Sequence, residues 1–289
     1  WSSDVCSSDL EVLQKHADAK APLDVLAAMG GLEIATMVGA VLQAALEHRV
    51  VVEPGDLLGW YKRPLLNFVV RHVKKMVPAW HLPGAKSLRA VLRQGRRLPW
   101  QAPDLNRDSL AALQYTGGTT GTPKAAMLTH GNLVANVLQV EAIAWPALHA
   151  LEGKPLNMLT ALPLYHVFAM TICGLYGMHA GMTNLLVMNP RDRLSLIKIW
   201  RKYSVHIFPG VNTLFNVLLQ EPAFRQLDFS QLRLAFGGGM ALQRSVAQQW
   251  FDLTGQPLIE GYGLSEASPV VTANPTNAQT FSGSIGLPL

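Results

Sequence analysis

Hydrophobic positions after Pro103 fall into short apolar runs that alternate with stretches of helical spacing. Apolar runs bounded by Gly, Pro or polar residues are typical of strands, and apolar positions three and four residues apart are typical of helices. Strands that alternate with helices favour an α/β fold, with mostly parallel layered sheets flanked by helices. The pattern predicts strands at 111–115, 125–129, 157–163, 206–209, 232–236 and 257–260, and helices from about 132 and at 194–202, 213–220 and 242–253.

A different pattern precedes Pro103, where apolar residues recur at helical spacing over 65–77 and Pro78 ends the run. Ten lysines and arginines and no acidic residue lie between Leu57 and Pro103, whereas the whole chain carries a net charge of +5. The segment predicts a basic amphipathic helix. Two interpretations stay open: a surface helix packed on the body of the protein, or a helix that attaches to an anionic membrane surface. We expect no nucleic-acid partner, because no recognition-helix or RNA-binding signature accompanies the charge.

The composition limits the class of protein. Of the 289 residues 49% are hydrophobic and only 15% are charged, which excludes a disordered chain and predicts a large core. Cys6 and Cys173 cannot form a disulfide framework, and no Cys or His spacing is typical of a zinc site. The Ser-rich first ten residues lack a secretory signal, so we expect a cytoplasmic protein with an artefactual start. The segment 155–190 has no charged residue, but Pro163 and several polar residues interrupt it, so we expect no membrane span.

The strongest chemical signal lies between the first two predicted strands. Residues 116–124 contain three glycines, four threonines and one lysine. Glycines let the backbone turn tightly with its amides outward, hydroxyls add donors, and the lysine supplies positive charge, which together suit phosphate oxygens. The segment is not a Walker loop, because Lys124 does not follow a glycine and a strand comes next instead of a helix. Taken alone, the same composition also fits an ordinary surface turn.

Four motifs, in sequence order, resemble those of a known family. They are 114–124 together with 127–130, 162–168, 237–240 and 260–266. In this order they resemble the motifs of the adenylate-forming enzymes, the superfamily of acyl-CoA synthetases, luciferases and peptide-synthetase adenylation domains. The double glycine at 117–118 and the segments 210–216 and 282–288 are most similar to bacterial long-chain fatty acid-CoA ligases. The chain departs from the family at Ser265, where threonine is usual, and at Ala125, where many relatives have glycine.

The resemblance implies an activity and its ligands. A carboxylate attacks the α-phosphate of ATP to give acyl adenylate and pyrophosphate, and the thiol of coenzyme A then displaces AMP. ATP, Mg2+, coenzyme A and a long-chain fatty acid are therefore the expected ligands. Two alternatives stay open: a truncated module that binds nucleotide and acyl ligand without turnover, and an adenylate-forming enzyme for another carboxylic acid. A homodimer also stays open.

The same resemblance assigns roles to single residues. His166 would lie beside the reacting carboxylate, Lys124 would neutralise the departing phosphates, and Glu266 would bind Mg2+. A core histidine and a helix N-terminal carboxylate are the alternatives for His166 and Glu266. The remaining assignments are Thr116, Gly117, Gly118, Thr119, Thr120 and Gly121 around the phosphates with Thr119 near the metal, Gly237, Gly238 and Gly239 at adenine and the acyl group, Gly261, Tyr262, Gly263 and Ser265 at adenine and the α-phosphate, and Asn212, Thr213, Phe215 and Val217 near the acyl pocket.

The resemblance runs from about Leu57 to Leu289. We therefore divide the chain into 1–56, a poorly matched or artefactual segment, and 57–289, part of the large AMP-binding domain. Family members continue further, with an aspartate that binds ribose, a hinge and a small C-terminal domain whose lysine assists adenylation. We expect a fragment with little activity alone, in the cytoplasm or peripherally on the inner membrane face.

Overall fold

The computed structural model describes residues 49–77, 82–116, 124–187, 189–278 and 280–289. They belong to two units, of which the first ends at Pro103 and the second comprises Asp104–Thr116 and Lys124–Leu289. The described part of the first unit contains short strands and helices, and the second contains a large sheet with helices on both faces.

The basic helix of the first unit differs from the predicted bounds. It begins at Lys62 and ends at Val73, whereas the predicted bounds are 65–77. It ends early because Lys75 adopts a left-handed backbone with a φ of 50°. The amide of Met76 then donates to the Val70 carbonyl oxygen at 3.0 Å, and this pairing closes the helix before Pro78. The elements of this unit are β1 Val50–Val51, α1 Lys62–Phe68 with its π-helical continuation Val69–Val73, β2 Lys86–Ser87, which pairs in parallel with β1, and α2 Leu88–Gly95.

A mixed sheet organises the second unit and confirms the α/β class. Among the described residues its strands are β5 Asn157–Thr160, β6 Thr183–Leu186, β7 Ile207–Gly210, β8 Leu234–Gly237, β9 Leu258–Gly263, β10 Val270–Ala273 and β11 Leu287–Pro288. These seven strands lie in the order β11-β10-β9-β8-β7-β5-β6. The neighbours from β6 to β9 are parallel, whereas β10 is antiparallel to both β9 and β11. The apolar pattern predicted β5 and β7 to β9 but not β6, β10 or β11.

Helices cover both faces of this sheet. Successive strand residues point to opposite faces, so Ile207 packs into one core cluster and Phe208 into the other. The larger cluster centres on Trp250, which contacts the rings of Phe208 and Phe215. The helices are α3 His130–Leu148, followed by the 3-10 turn His149–Leu151, α4 Val167–Ala169 with its π-helical continuation Met170–Tyr176 and last turn Gly177–His179, α5 Arg193–Lys202, α6 Asn212–Leu219, α7 Pro222–Arg225 and α8 Arg244–Thr254.

The first two strands of the second unit form a separate antiparallel hairpin, β3 Leu110–Thr116 and β4 Lys124–Thr129. The sequence predicted both strands and a mostly parallel sheet, but the local pattern could not show that these two pair with each other. Leu128 packs against Leu133 and Val167 on the covered face.

The uncharged segment 155–190 forms β5, α4 and β6. The chain passes from the sheet to the helical layer and back, and the strands and helix pair its backbone amide and carbonyl groups within the protein. Within the described ranges, no helix is both long and apolar enough to cross a membrane.

A half-buried acceptor just before β7 gives the fold a pH dependence. The amide of Asn157 donates to Nδ1 of His206 at 3.0 Å, which requires the neutral imidazole. Burial, and then the positive charge of Arg233, lower the pKa of His206 from its ordinary value of 6.5. Because the folded state resists protonation, the stabilisation is complete above the unfolded pKa and is lost as the pH falls through it towards the folded pKa.

We therefore expect the free energy of unfolding to fall as the pH is lowered through 6.5, the ordinary pKa of histidine. His206→Asn keeps an acceptor oxygen and does not titrate, so this part of the pH dependence should disappear. Urea unfolding followed by tryptophan fluorescence measures both proteins, with His149→Asn as the matched control on an exposed histidine. An unchanged pH dependence in His206→Asn contradicts the assignment.

Candidate functional site

The hairpin brings together the two ends of the Gly/Thr segment. Thr116 is paired with Lys124, and the Thr116 hydroxyl donates to the Lys124 carbonyl oxygen at 3.2 Å. The predicted phosphate-binding residues between them, Gly117, Gly118, Thr119, Thr120 and Gly121, lie outside the described residues. Their phosphate-binding role stays a prediction.

The turn that carries Glu266 lies beside this hairpin. Residues of the 3-10 turn Ser265–Ala267 have Cα atoms within 8 Å of residues in both β3 and β4. Lys124 and Glu266 are far apart in sequence, yet the fold places their elements next to each other. Both side chains are exposed, and Ser265 is half-buried.

A glycine turn after β8 meets the end of β9. Gly237 is paired with Glu260, and a Cβ atom placed on Gly238 would lie 3.6 Å from the Gly261 carbonyl oxygen. The next residue, Gly239, has a φ of 76°, a conformation that side-chain-bearing residues rarely adopt. Backbone rather than side chains is therefore presented here, at the carboxyl ends of two parallel strands, where α/β proteins bind ligands.

The 162–168 motif reaches the same place through Phe168. The same hypothetical Cβ on Gly238 would lie 3.2 Å from Cζ of Phe168. Two residues earlier, His166 caps α4, since the amide of Phe168 donates to its Nδ1 at 3.2 Å. With Nδ1 as an acceptor, the neutral ring carries its proton on Nε2. His166 is exposed, which contradicts the alternative of a buried core histidine.

The rest of the 260–266 motif lines the end of β9. Tyr262 is 42% exposed, so its aromatic face is open to a ligand. Gly263 lies so close to the Pro269 carbonyl oxygen that a Cβ could not fit there. Gly261 likewise faces Thr272 of β10. These glycines are explained by close backbone packing, whatever they contact in a bound ligand.

Two buried polar side chains hold the glycine turn, and sequence reasoning missed both roles. Glu260, 6% exposed, accepts a hydrogen bond from the Leu242 amide at 2.9 Å. Asn212, also 6% exposed, accepts one from the Gln243 amide at 2.9 Å. The acid at the end of an otherwise apolar strand was the available signal, because a buried carboxylate needs a partner.

The residues expected near the acyl pocket differ in burial. Phe215 is fully buried in the core and contacts Phe208 and Trp250 at ring-centroid distances of 5.5 and 5.0 Å. Asn212 is buried and holds the Gln243 amide, whereas Thr213 and Val217 are exposed on α6. Their acyl-pocket role stays a prediction.

Other chemistries find little support in the described residues. Burial raises the pKa of the Cys173 thiol to about 12, although a hydrogen bond with Thr160 opposes the shift. The thiol therefore stays protonated at neutral pH and is a poor nucleophile. In the part of the chain that the structure describes, no group of three His, Cys, Asp or Glu side chains could hold a metal ion by itself.

The carboxyl ends of parallel strands, where this chain has its glycine turns, are where open α/β sheets bind ligands. The family model described as AMP-binding enzyme matches residues 64–289. The chain therefore belongs to the AMP-binding enzyme family. A second model, described as phosphoribosyltransferase, matches residues 6–55, which lie almost entirely outside the described ranges.

Within this family, the chain is similar to curated long-chain-fatty-acid–CoA ligases. Over 254 residues the chain is 50% identical to a long-chain-fatty-acid–CoA ligase of Escherichia coli O157:H7, covering 88% of this chain and 45% of the relative. It is 46% identical to the Haemophilus influenzae ligase of the same name, with the same coverage. The chain thus spans less than half the length of these relatives. The match is longer than 57–289, so it includes residues upstream of Leu57, and the division at that position stays a prediction.

A solved structure supports the fold. The fatty acyl-adenylate ligase from L. pneumophila, in complex with acyl adenylate and pyrophosphate, superposes with a TM-score of 0.57 at 22% identity. The superposition covers 92% of this chain and 50% of that chain.

Replacing Glu260 should loosen the glycine turn. Glu260→Leu leaves the buried Leu242 amide without an acceptor, which should cost about 1–3 kcal/mol of unfolding free energy. Glu260→Gln is the matched control, because its amide oxygen still accepts and most of the stability should return. Urea unfolding measures all three proteins. Equal stability of the Leu and Gln variants contradicts the anchoring role.

Proposed function

We propose that this chain supplies the phosphate, adenine and acyl subsites of an ATP-dependent long-chain fatty acid–CoA ligase. The observation that carries the proposal is the meeting of three motifs, 162–168, 237–240 and 260–266, at the carboxyl ends of β8 and β9. The turn after β9 lies beside the β3–β4 hairpin, whose second strand begins at Lys124, and this adds the fourth motif. The names and identities of the curated relatives support the acyl-CoA product.

In the proposed first half-reaction, a fatty-acid carboxylate oxygen attacks the α-phosphorus of ATP. The bond from that phosphorus to the bridging oxygen breaks, and pyrophosphate leaves. Such a transition state needs positioning and charge neutralisation more than covalent help. Lys124 would supply positive charge at the departing phosphates, with Thr116 and the amides of residues 117–121 around them. His166 would lie beside the carboxylate.

The nucleotide would rest on the backbone at the strand ends. Gly237, Gly238 and Gly239 leave room for a flat base and the acyl group, and the exposed ring of Tyr262 offers a stacking face. The hydroxyl of Ser265 would reach an α-phosphate oxygen, as the usual threonine would. In the second half-reaction the coenzyme A sulfur attacks the acyl carbonyl, and the bond to AMP breaks.

The donor set around Glu266 suits Mg2+. Its exposed carboxylate has no hydrogen-bond or ion-pair partner among the residues that the structure describes. Mg2+ is typically held by one or two carboxylates together with substrate phosphates and water, so a complete protein cage is not required. When bound, the ion would neutralise phosphate charge. Glu266 would hold it, with Thr119 as the second expected contact.

Two other functions remain as outcomes of the test. A module that binds nucleotide or acyl ligand without turnover, or an activator of another carboxylic acid, would use the same subsites. Neither is favoured by a specific observation, and the relatives' names favour the long-chain acid. A homodimer is not part of the proposal.

We also propose that α1 brings the protein to an anionic membrane surface from the cytoplasmic side. None of the α1 residues is buried, and Leu65 and Phe68 are 64% and 57% exposed. Lys74 and Lys75 follow the helix and are exposed as well. Apolar and basic side chains together favour attachment to anionic lipid.

Pyrophosphate exchange tests the proposed activity. The protein to use is a chimera in which the matched 254 residues replace their counterpart in the E. coli O157:H7 ligase, with palmitate as the acid. Lys124→Ala and Glu266→Ala should each reduce the exchange rate by about 100-fold or more, as loss of a charged transition-state contact does. Lys198→Ala, on α5, is the matched control. Exchange that survives both site substitutions together refutes the site assignment.

Vesicle sedimentation tests the membrane proposal. The chain should sediment with phosphatidylglycerol vesicles at about 0.05 M salt and be released at about 0.5 M, because salt screens surface charge. Neutralising Lys74 and Lys75 with glutamine should abolish binding. Neutralising Lys154 and Lys198, two exposed lysines of the second unit, is the control. Binding that responds to neither salt nor the Lys74 and Lys75 changes contradicts the proposal.

A further inference from the structure

Two buried polar side chains hold the segment that follows Glu266. Asn136 of α3 is 2% exposed, donates from Nδ2 to the Val270 carbonyl oxygen at 2.8 Å and accepts at Oδ1 from the Val270 amide at 3.0 Å. Thr171 of α4 is fully buried, and its hydroxyl donates to the Ser268 carbonyl oxygen at 3.0 Å. Side chains from two helices therefore fix backbone groups that are far away in the sequence.

The anchored segment closes the turn that bears Glu266. The amide of Leu264 donates to the Pro269 carbonyl oxygen at 2.9 Å, and the amide of Ala267 donates to the Leu264 carbonyl oxygen at 3.0 Å. Glu266 thus projects from a short loop whose base is a backbone hydrogen bond. The Asn136 bonds hold Val270, one residue beyond Pro269, and the Thr171 bond holds Ser268, one residue before it.

The position of Asn136 is costly for a residue that only fills space. Its neighbours on the buried face of α3, Leu133, Val137 and Val140, are apolar. A buried amide is tolerated only when its donors and acceptor are paired. Asn136 meets this condition, because its second donor bonds to Gln139 Oε1 at 3.0 Å. An apolar side chain would pack at this position without pairing the Val270 backbone, which indicates that the amide's purpose is to position β10.

We propose that Asn136 and Thr171 are positioning residues for Glu266 in nucleotide activation. They fix the returning arm of its loop, and the loop in turn presents the carboxylate beside the β3–β4 hairpin. This inference rests on the proposed function, since it takes Glu266 as the group that acts on magnesium-bound ATP. Both side chains are buried and bond to backbone groups of 268–270, so both act through that backbone.

The test compares isosteric variants in the full-length chimera. Asn136→Leu and Thr171→Val keep the volume and remove the hydrogen bonds, whereas Thr171→Ser keeps the hydroxyl and is the conservative rescue. Leu196→Ala, in the other core cluster, is a control for general destabilisation, because Leu196 is fully buried and remote in the fold from this loop.

The first readout is amide hydrogen exchange without any ligand. Asn136→Leu and Thr171→Val should accelerate exchange in the peptide 264–271, and Thr171→Ser should restore most of the protection. The second readout is the Mg2+ concentration that half-activates pyrophosphate exchange. It should rise about 10- to 100-fold, as when groups that orient a metal ligand are removed. The palmitate concentration for half-maximal exchange should stay the same.

Each outcome decides a separate point. Unchanged hydrogen exchange in both isosteric variants overturns the anchoring. Faster exchange with an unchanged Mg2+ requirement overturns the positioning role and leaves the proposed function intact. The same Mg2+ shift in Leu196→Ala reduces the effect to general destabilisation and also overturns it. The proposed function fails separately if the unmutated chimera shows no pyrophosphate exchange, or if its exchange does not depend on Lys124 and Glu266. If Asn136→Leu does not fold, the Thr171 pair decides.

Discussion

The register between β8 and β9 is the constraint on which the candidate site depends. Gly237 lies opposite Glu260, so the glycine turn after β8 runs beside Gly261 while the Glu260 carboxyl group reaches the Leu242 amide. A shift of one residue would turn Glu260 to the other face of the sheet and leave that amide unpaired. The same pairing sets where β9 ends and therefore where the loop bearing Glu266 begins.

Much of this architecture could be predicted because its causes are local. Apolar runs and helical spacing located β7, β8 and β9 and the helices between them, and right-handed connections between such strands give a parallel sheet. The alanine at 125, where many relatives have glycine, also has a local explanation. It lies within β4 opposite Tyr115, in extended backbone that any residue adopts, so a glycine is not required there.

The rest depends on contacts that no local pattern contains. Asn136 and Val270 are 134 residues apart in sequence, yet they share two hydrogen bonds. The antiparallel return of β10 is short and irregular in apolar pattern, so its pairing with β9 could not be read from spacing. The packing of Phe215 against Trp250 likewise joins residues that are distant in sequence.

Buried polar groups explain why a site made mostly of backbone can be precise. Glycine turns alone have many accessible conformations, and ordering them costs entropy on folding. Asn212 and Glu260 each hold one amide after the β8 turn, while Asn136 and Thr171 hold the arm that follows the β9 loop. These four side chains lie inside the protein, where a broken hydrogen bond is more costly than at the surface. The interior therefore restricts both loops before any ligand arrives, while the side chains of Lys124, His166, Tyr262 and Glu266 are exposed.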